Sequence, residues 1–177
     1  MSDANEEGLP TPPHLSSEFY VWLWWESERN SARFELGEPM GQVEVWVDER
    51  LVFRRPGDTK VSAVLTGDDA STALESRAAL AGGKVVEEIR LRIRRDDREY
   101  SVSLKGAAVA IQRAKLPPSG TDADESPLYD RMFHYEELEK VVAALFTVFA
   151  KARQDNNWES ETLPKMKSWS QGGLAAG

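Results

Sequence analysis

Apolar and polar positions alternate with a period of two across residues 85–105. The segment "VVEEIRLRIRR" runs to residue 95, a two-residue "DD" turn follows, and "REYSVSLK" returns from residue 98. This turn length pairs Ile93 with Tyr100, Leu91 with Val102, Ile89 with Leu104, Arg94 with Glu99 and Glu88 with Lys105. The apolar pairs share one face and the opposite-charge pairs share the other, and a slip by one residue would destroy both. The pattern therefore predicts an antiparallel hairpin.

Four further strands are predicted upstream of the hairpin. They are "RFEL" (33–36), "QVEVWVD" (42–48), "LVFRR" (51–55) and "KVSAVLT" (60–66). The segment 42–48 alternates valines with Glu44, Trp46 and Asp48, which is typical of a half-buried strand. A short turn is expected between 48 and 51.

Helices are predicted before, within and after these strands. Asp69 is a plausible cap for a helix that ends at Gly82-Gly83, and a last short helix is expected to begin near Pro164. The longest predicted helix covers 128–154. Its apolar stripe comprises Leu138, Val141, Val142, Leu145, Phe149 and Ala152. This i, i+3, i+4 spacing predicts a face that covers the sheet.

Seven apolar residues in a row, 19–25, include three tryptophans. Ser16 is a good N-cap, and Leu15 and Tyr20 occupy the positions of a hydrophobic staple. These features favour a helix over 17–28, although aromatic and β-branched residues also suit a strand buried on both faces. Such a helix is apolar all round, so it must be buried on several sides or leave aromatic rings exposed.

The elements together predict one α+β domain at 15–170. Its sheet is an antiparallel meander of about five or six strands, with a short N-terminal helix, one inserted helix and a long C-terminal helix packed on the sheet. An acidic, proline-rich lead-in (1–14) and a tail (171–177) are expected to be flexible.

Composition narrows the class of protein. The chain has 177 residues, 41% hydrophobic and 29% charged, with a formal net charge of −8 and no cysteine. The absence of cysteine excludes disulfides and cysteine-based metal sites. The apolar runs are too short to span a bilayer, and no signal-peptide pattern opens the chain. We therefore expect a cytoplasmic protein that does not contact membranes.

Catalytic patterns are hard to assemble from these residues. The two histidines are His14, in the lead-in, and His134, at a helix start, where a capping or surface role is expected. The acidic segment 122–126 lacks the spacing of a calcium loop, and no glycine pattern matches a nucleotide site. We expect no enzyme, no metal and no cofactor, with an unfamiliar carboxylate hydrolase as the remotest hypothesis.

Basic residues of the hairpin form the first candidate binding surface. The candidates for nucleic-acid contact are Arg90, Arg92, Arg94, Arg95, Arg98 and Lys105. Arginines at period two form a stripe that could contact phosphates of single- or double-stranded DNA. The alternative is that their stems cover the sheet and pair with acids. The second candidate surface, for a protein partner or self-association, consists of Tyr20, Trp24, Trp25 and Trp46.

A resemblance adds a hint of pathway. The motifs "EFYVWLWWESE", "VEVWVDERLVF", "ESRAALAGGKVVEEIRLRIRR", "LYDRMFHYEELEKVVAALF" and "NNWESETLPKMKSW" occur in this order. Over about residues 15–170 the chain resembles the C-terminal conserved region of deltaproteobacterial recombination-associated RdgC-like sequences and related short proteins. RdgC is a ring-forming, sequence-independent DNA-binding protein, and its ring-forming part is missing here. The resemblance implies a recombination context and assigns no DNA-contacting residue.

These observations give two main expectations. The first is a non-enzymatic accessory domain of DNA recombination or repair that contacts nucleic acid weakly through the basic sheet face. The alternative is a protein-interaction or oligomerisation module that uses exposed aromatic side chains and binds no nucleic acid.

Overall fold

The computed structural model describes residues 13–58, 60–67, 74–118 and 127–172. The helices are α1 (Pro13–Arg29), α2 (Leu74–Ala81), α3 (Pro127–Gln154) and α4 (Leu163–Gly172), with a π-helical turn at Trp158–Thr162 before α4. The strands are β1 (Arg33–Glu35), β2 (Gln42–Arg54), β3 (Val61–Thr66), β4 (Val85–Arg95), β5 (Arg98–Lys105) and β6 (Ala110–Lys115). The described part of the chain is one α+β domain. Most of the predicted lead-in, the Asp69 cap, the acidic segment 122–126 and most of the predicted tail lie outside the described residues.

All six strands belong to one antiparallel sheet, in which β1, β2, β4, β5 and β6 are neighbours in this order and β3 also pairs with β2. β1 pairs with the first part of β2 and β3 with its last part, so both lie along the same edge of β2. β4 lies along the other edge of β2, which makes β2 and β4 the centre of the sheet. The chain therefore does not follow a simple meander: it leaves the sheet after β3 and re-enters beside β2.

The predicted turn between 48 and 51 is absent, because β2 continues through these residues. The two predicted strands are one 13-residue strand, whose pairing with β4 shifts register between Val47 and Leu51. A β-bulge at this point absorbs the polar residues within the strand and bends it. The run of polar side chains at Asp48 and Arg50 is therefore a feature of a bulge and not of a hairpin.

The hairpin of β4 and β5 is confirmed with its predicted register. Ile93 pairs with Tyr100 and Glu88 with Lys105, and every predicted pair between them is present. The apolar side chains of the inner face, which comprises Ile89, Leu91, Ile93, Tyr100, Val102 and Leu104, are all buried. The sequence did not predict β6, because a positive φ at Arg113 and a register shift beside it break the alternation of side chains.

The aromatic run lies in a helix, α1, as predicted, and this helix is the centre of the core. The predicted start is wrong, because α1 begins at Pro13 and Ser16 lies inside it instead of capping it. Phe19, Leu23 and Trp24 are fully buried, and no side chain of residues 19–25 is exposed. α1 contacts the sheet through β2 and β4 and contacts α3 and α4 elsewhere on its surface. Because elements surround α1, its apolar residues need no single stripe.

This burial corrects three of the predicted partner contacts. Tyr20 and Trp24 have no exposed area and Trp25 has 6%, so they are core residues and not surface contacts. The Tyr20 hydroxyl donates a hydrogen bond of 2.7 Å to the carbonyl of Gly106, and the Trp24 ring packs edge-on against Trp169 at 5.0 Å. The Trp24 Nε1 group donates a hydrogen bond of 3.0 Å to Glu28, so both of these buried side chains have a partner for their polar atom.

α3 covers the core with the predicted stripe. Leu138, Val141, Val142, Leu145 and Phe149 are buried, and Ala152 is partly buried. Phe149 lies 5.4 Å from Phe19 between ring centroids, which joins α3 directly to α1. α4 begins one residue before Pro164 and closes the other side of α1 together with α2.

We expect Tyr20→Phe to lower the free energy of unfolding by about 1 kcal/mol at about pH 7, because it removes the bond to Gly106. Burial raises the pKa of Tyr20 above its ordinary value of 10.0, and Glu87 and Glu88 add to this. Above about pH 10 the unfolded chain loses this proton while the folded chain keeps it, so wild-type stability falls by about 1.4 kcal/mol per pH unit from this group alone.

Urea denaturation at several pH values checks both effects. Wild-type stability should fall more steeply than that of Tyr20→Phe above about pH 10, so that the difference between them narrows. Tyr129→Phe, at an exposed tyrosine, is the matched control. It should change neither the free energy of unfolding at about pH 7 nor its dependence on pH. A difference that stays constant with pH would contradict the buried, protonated phenol.

Candidate nucleic-acid interface

The candidate interface is the side of the sheet opposite the helices, here called the outer face. Its side chains come from alternate positions of the three central strands and are Glu44 and Trp46 of β2, Glu88, Arg90, Arg92 and Arg94 of β4, and Glu99, Ser101, Ser103 and Lys105 of β5. The described helices pack on the inner face, against Ile89 and its neighbours. The outer face is thus covered by its own side chains.

One partly exposed aromatic ring and two exposed guanidinium groups lie together on this face. Trp46 lies directly across from Arg92, whose guanidinium carbon is 4.8 Å from the ring centroid. Arg94 lies 5.3 Å from the same ring and also forms an ion pair with Glu44. We call Trp46, Arg92 and Arg94 the Trp46 cluster. Arg92 and Arg94 are exposed, and Arg92 has no carboxylate partner among the residues that the structure describes.

Arg90 lies on the same face but is 7% exposed. Its guanidinium donates to the Ser103 hydroxyl at 3.2 Å, to the Ser101 hydroxyl at 2.9 Å and to the carbonyl of Arg113 at 3.1 Å. Arg90 therefore joins three strands and cannot reach a ligand without breaking these bonds. This corrects its prediction as a nucleic-acid contact.

Glu88 and its two arginines were missed by the sequence analysis. The carboxylate of Glu88 is almost fully buried, and it accepts bonds of 3.3 Å from both Arg50 and Arg113. A buried carboxylate needs such partners, since an unpaired charge away from water is very costly. Arg50 comes from the polar run taken for a turn, and Arg113 comes from the unpredicted strand. No pattern in the sequence could have brought them to Glu88 without those two elements.

Arg95 and Arg98 lie on the other side of the hairpin. Both approach Glu137 of α3, at 2.7 and 3.4 Å, and Arg98 also lies over the ring of Phe133. Their grouping with the outer face is wrong because side chains alternate across a strand, and their positions share the parity of Ile93 and Tyr100. They fasten the tip of the hairpin to α3. Lys105 remains exposed on the outer face, at the far end of β5.

The prediction that His134 has a capping or surface role is wrong. It is 8% exposed on the inner side of α3, with its Nε2 atom 3.7 Å from Asp130 and its ring edge-on to Tyr100. Burial raises the pKa of Tyr100, and Arg98 opposes that increase. Within the described residues, no three histidine or acidic side chains are placed to share a metal ion.

We expect Arg90→Ala to lower the free energy of unfolding by about 2–4 kcal/mol, because it leaves two hydroxyls and a carbonyl without their donor. Arg92→Ala on the same strand should cost less than about 1 kcal/mol, since its side chain is exposed and lies over the Trp46 ring. Chemical denaturation of the two variants measures this contrast. Equal costs would contradict the division of the stripe into a structural arginine and an exposed one.

No helix in the described part of the chain combines the length and the apolar character needed to cross a membrane. No protein-family model, no curated protein and no solved structure matches the chain.

Proposed function

We propose that this chain is a non-enzymatic, cytoplasmic accessory domain that contacts nucleic acid weakly, through the Trp46 cluster of the outer face. The observation that carries the proposal is the arrangement of one partly exposed indole with two exposed guanidinium groups on a sheet face that the described helices leave uncovered. Proteins that bind single strands commonly combine an aromatic stacking platform with a positive groove.

The geometry of the Trp46 cluster suits a single strand better than a duplex. Unstacked bases can lie on an indole ring, whereas the bases of a duplex already stack on each other. Arg92 and Arg94 are two residues apart on one strand, so their Cα atoms are about 7 Å apart and both side chains can reach one short stretch of phosphates. The indole ring of Trp46 and the guanidinium groups of Arg92 and Arg94 can thus contact the same short segment of a single strand.

The local charges favour weak, salt-sensitive binding. Glu44 already pairs with Arg94, and Glu88 occupies Arg50 and Arg113. The chain as a whole has a formal net charge of −8, which opposes the approach of a polyanion. The number of phosphates neutralised should therefore be small, and binding should weaken as salt rises. The resemblance to RdgC-like sequences supports a role in DNA recombination or repair for such a contact.

We expect Arg92→Glu/Arg94→Glu to abolish binding of a fluorescent single-stranded oligonucleotide, measured by anisotropy at about 50 mM salt. Wild-type binding should weaken steeply at about 200 mM salt and should exceed binding to the matching duplex. Trp46→Ala should reduce this preference for the single strand, because it removes the stacking surface. Arg90 must be left intact, since its loss would disturb the fold.

The matched control is Lys140→Glu/Lys151→Glu, which makes the same change in net charge at exposed positions of α3, away from the outer face. This control should lower affinity far less than the Arg92 and Arg94 reversals. Equal losses would indicate non-specific attraction to the whole protein and contradict a defined face. Absence of any wild-type binding at low salt would overturn the proposal.

A further inference from the structure

The first turns of α3 expose an unusual set of large apolar side chains. The exposed fractions are 64% for Leu128, 75% for Tyr129, 51% for Met132, 50% for Phe133 and 38% for Tyr135. Soluble monomers rarely expose contiguous apolar patches of more than a few hundred Å², and larger patches mark sites of association. From residue 136 onwards the solvent side of α3 is mainly polar, so the apolar surface is confined to one end of the helix.

Three of these residues form a continuous row. Leu128, Met132 and Tyr135 follow each other at spacings of four and three, which places them on one side of the helix. Together with Leu116 they line a concavity of about 410 Å³. We call these three residues the α3 seam. Alternating spacings of four and three are the pattern by which two helices pack along a shared seam.

Opposite charges border the α3 seam. Arg131 directly precedes Met132 and Glu136 directly follows Tyr135, and both line the same concavity. Neither forms an ion pair with another residue that the structure describes. The charged residues next to them in the sequence do have partners: Glu137 pairs with Arg95 and Arg98, and Asp130 lies beside His134. Within the described part of the chain, no ion pair therefore competes with a partner for Arg131 and Glu136.

The spacing of these two charges selects one kind of partner. In a parallel pair of helices, the residue that precedes one seam position lies opposite the residue five places further along the partner helix. Arg131 and Glu136 have this separation, so two parallel copies would form the Arg131–Glu136 pair twice, once on each side of the seam. In an antiparallel pair Arg131 would instead face Arg131 of the second copy, and Glu136 would face Glu136. Like charges would then repel each other on both sides of the seam.

We propose that the α3 seam binds the α3 seam of a second copy of this chain, in a parallel arrangement about a two-fold axis along the helices. Self-complementarity of this kind is what a two-fold interface requires. The next seam position is Glu139, so the pairing extends over about two turns and the dimer is weak and concentration-dependent. This inference rests on α3 and does not depend on nucleic-acid binding by the outer face.

Sedimentation velocity of the full chain, at about 1 μM to about 500 μM, tests the association. The mass should rise from that of one chain, 19.8 kDa, towards twice that value. Met132→Glu should hold it at one chain, whereas Leu74→Glu, at a comparably exposed apolar position of α2, should not. A wild-type chain that stays monomeric throughout would overturn the proposal, as would a dimer that Met132→Glu leaves unchanged.

Charge reversal tests the partners of the two bordering residues. Arg131→Glu and Glu136→Arg should each weaken association, and the double variant that carries both should restore it. A mixture of the two single variants should also associate, since every pair across the mixed seam is then of opposite charge. A double variant that associates no better than the single ones would contradict the proposed pairing.

Disulfide cross-linking tests the parallel direction. Because the chain has no cysteine, an introduced cysteine can form a disulfide only with its counterpart in a second copy. In a parallel pair Tyr135 faces its own counterpart, so Tyr135→Cys should form a disulfide-linked dimer with oxidised glutathione as the oxidant. Lys140→Cys, outside the seam, should not. A chain that dimerises through Met132 but does not cross-link at 135 would overturn the parallel arrangement.

Discussion

The burial of the aromatic run of α1, residues 19–25, is the constraint on which the rest of this structure depends. A helix that carries Phe19, Tyr20, Trp22, Leu23 and Trp24 has no polar side to turn towards water, so it requires a sheet on one side and helices on the others. That requirement places α3 and α4 on the same side of the sheet as α1. The opposite face of the sheet is left to be covered by its own side chains, and it is there that the charged residues of β2, β4 and β5 lie.

This one-sided arrangement explains why equivalent arginines have different roles. At the centre of the outer face, long side chains cover one another, so Arg90 and Glu88 become buried and must be fully paired. Towards the hairpin tip the sheet is narrower, so Arg92 and Arg94 keep their exposure and stack near Trp46. Position along the strand, and not residue type, therefore separates the structural cations from the available ones.

The hairpin was predictable because two independent patterns, apolar residues on one face and charges on the other, agree on one register. α1 was predictable from its apolar run, but its start was not, because the helix begins at Pro13 and Ser16, the predicted N-cap, lies inside it. The bend in β2 was not, because Asp48 and Arg50 have the composition of a turn and only the neighbouring strand shows that pairing continues. β6 was hidden by the positive φ at Arg113. The placement of Arg95 was available from parity alone, whereas the burial of Arg90 depended on Ser101, Ser103 and a strand that the pattern does not reveal.

The two proposed surfaces lie at the same end of the molecule. Arg95 of β4 forms an ion pair with Glu137 of α3, two residues after Tyr135 of the α3 seam. This ion pair links the α3 seam to the strand that carries Arg92 and Arg94. Two copies paired along α3 would therefore hold two Trp46 clusters in a fixed relation. A weak contact becomes useful when it is doubled on one ligand, because the second contact forms at a high effective concentration once the first has formed. A strand long enough to reach both clusters should then bind with a steeper dependence on salt than a short one, since more phosphates are neutralised in each complex.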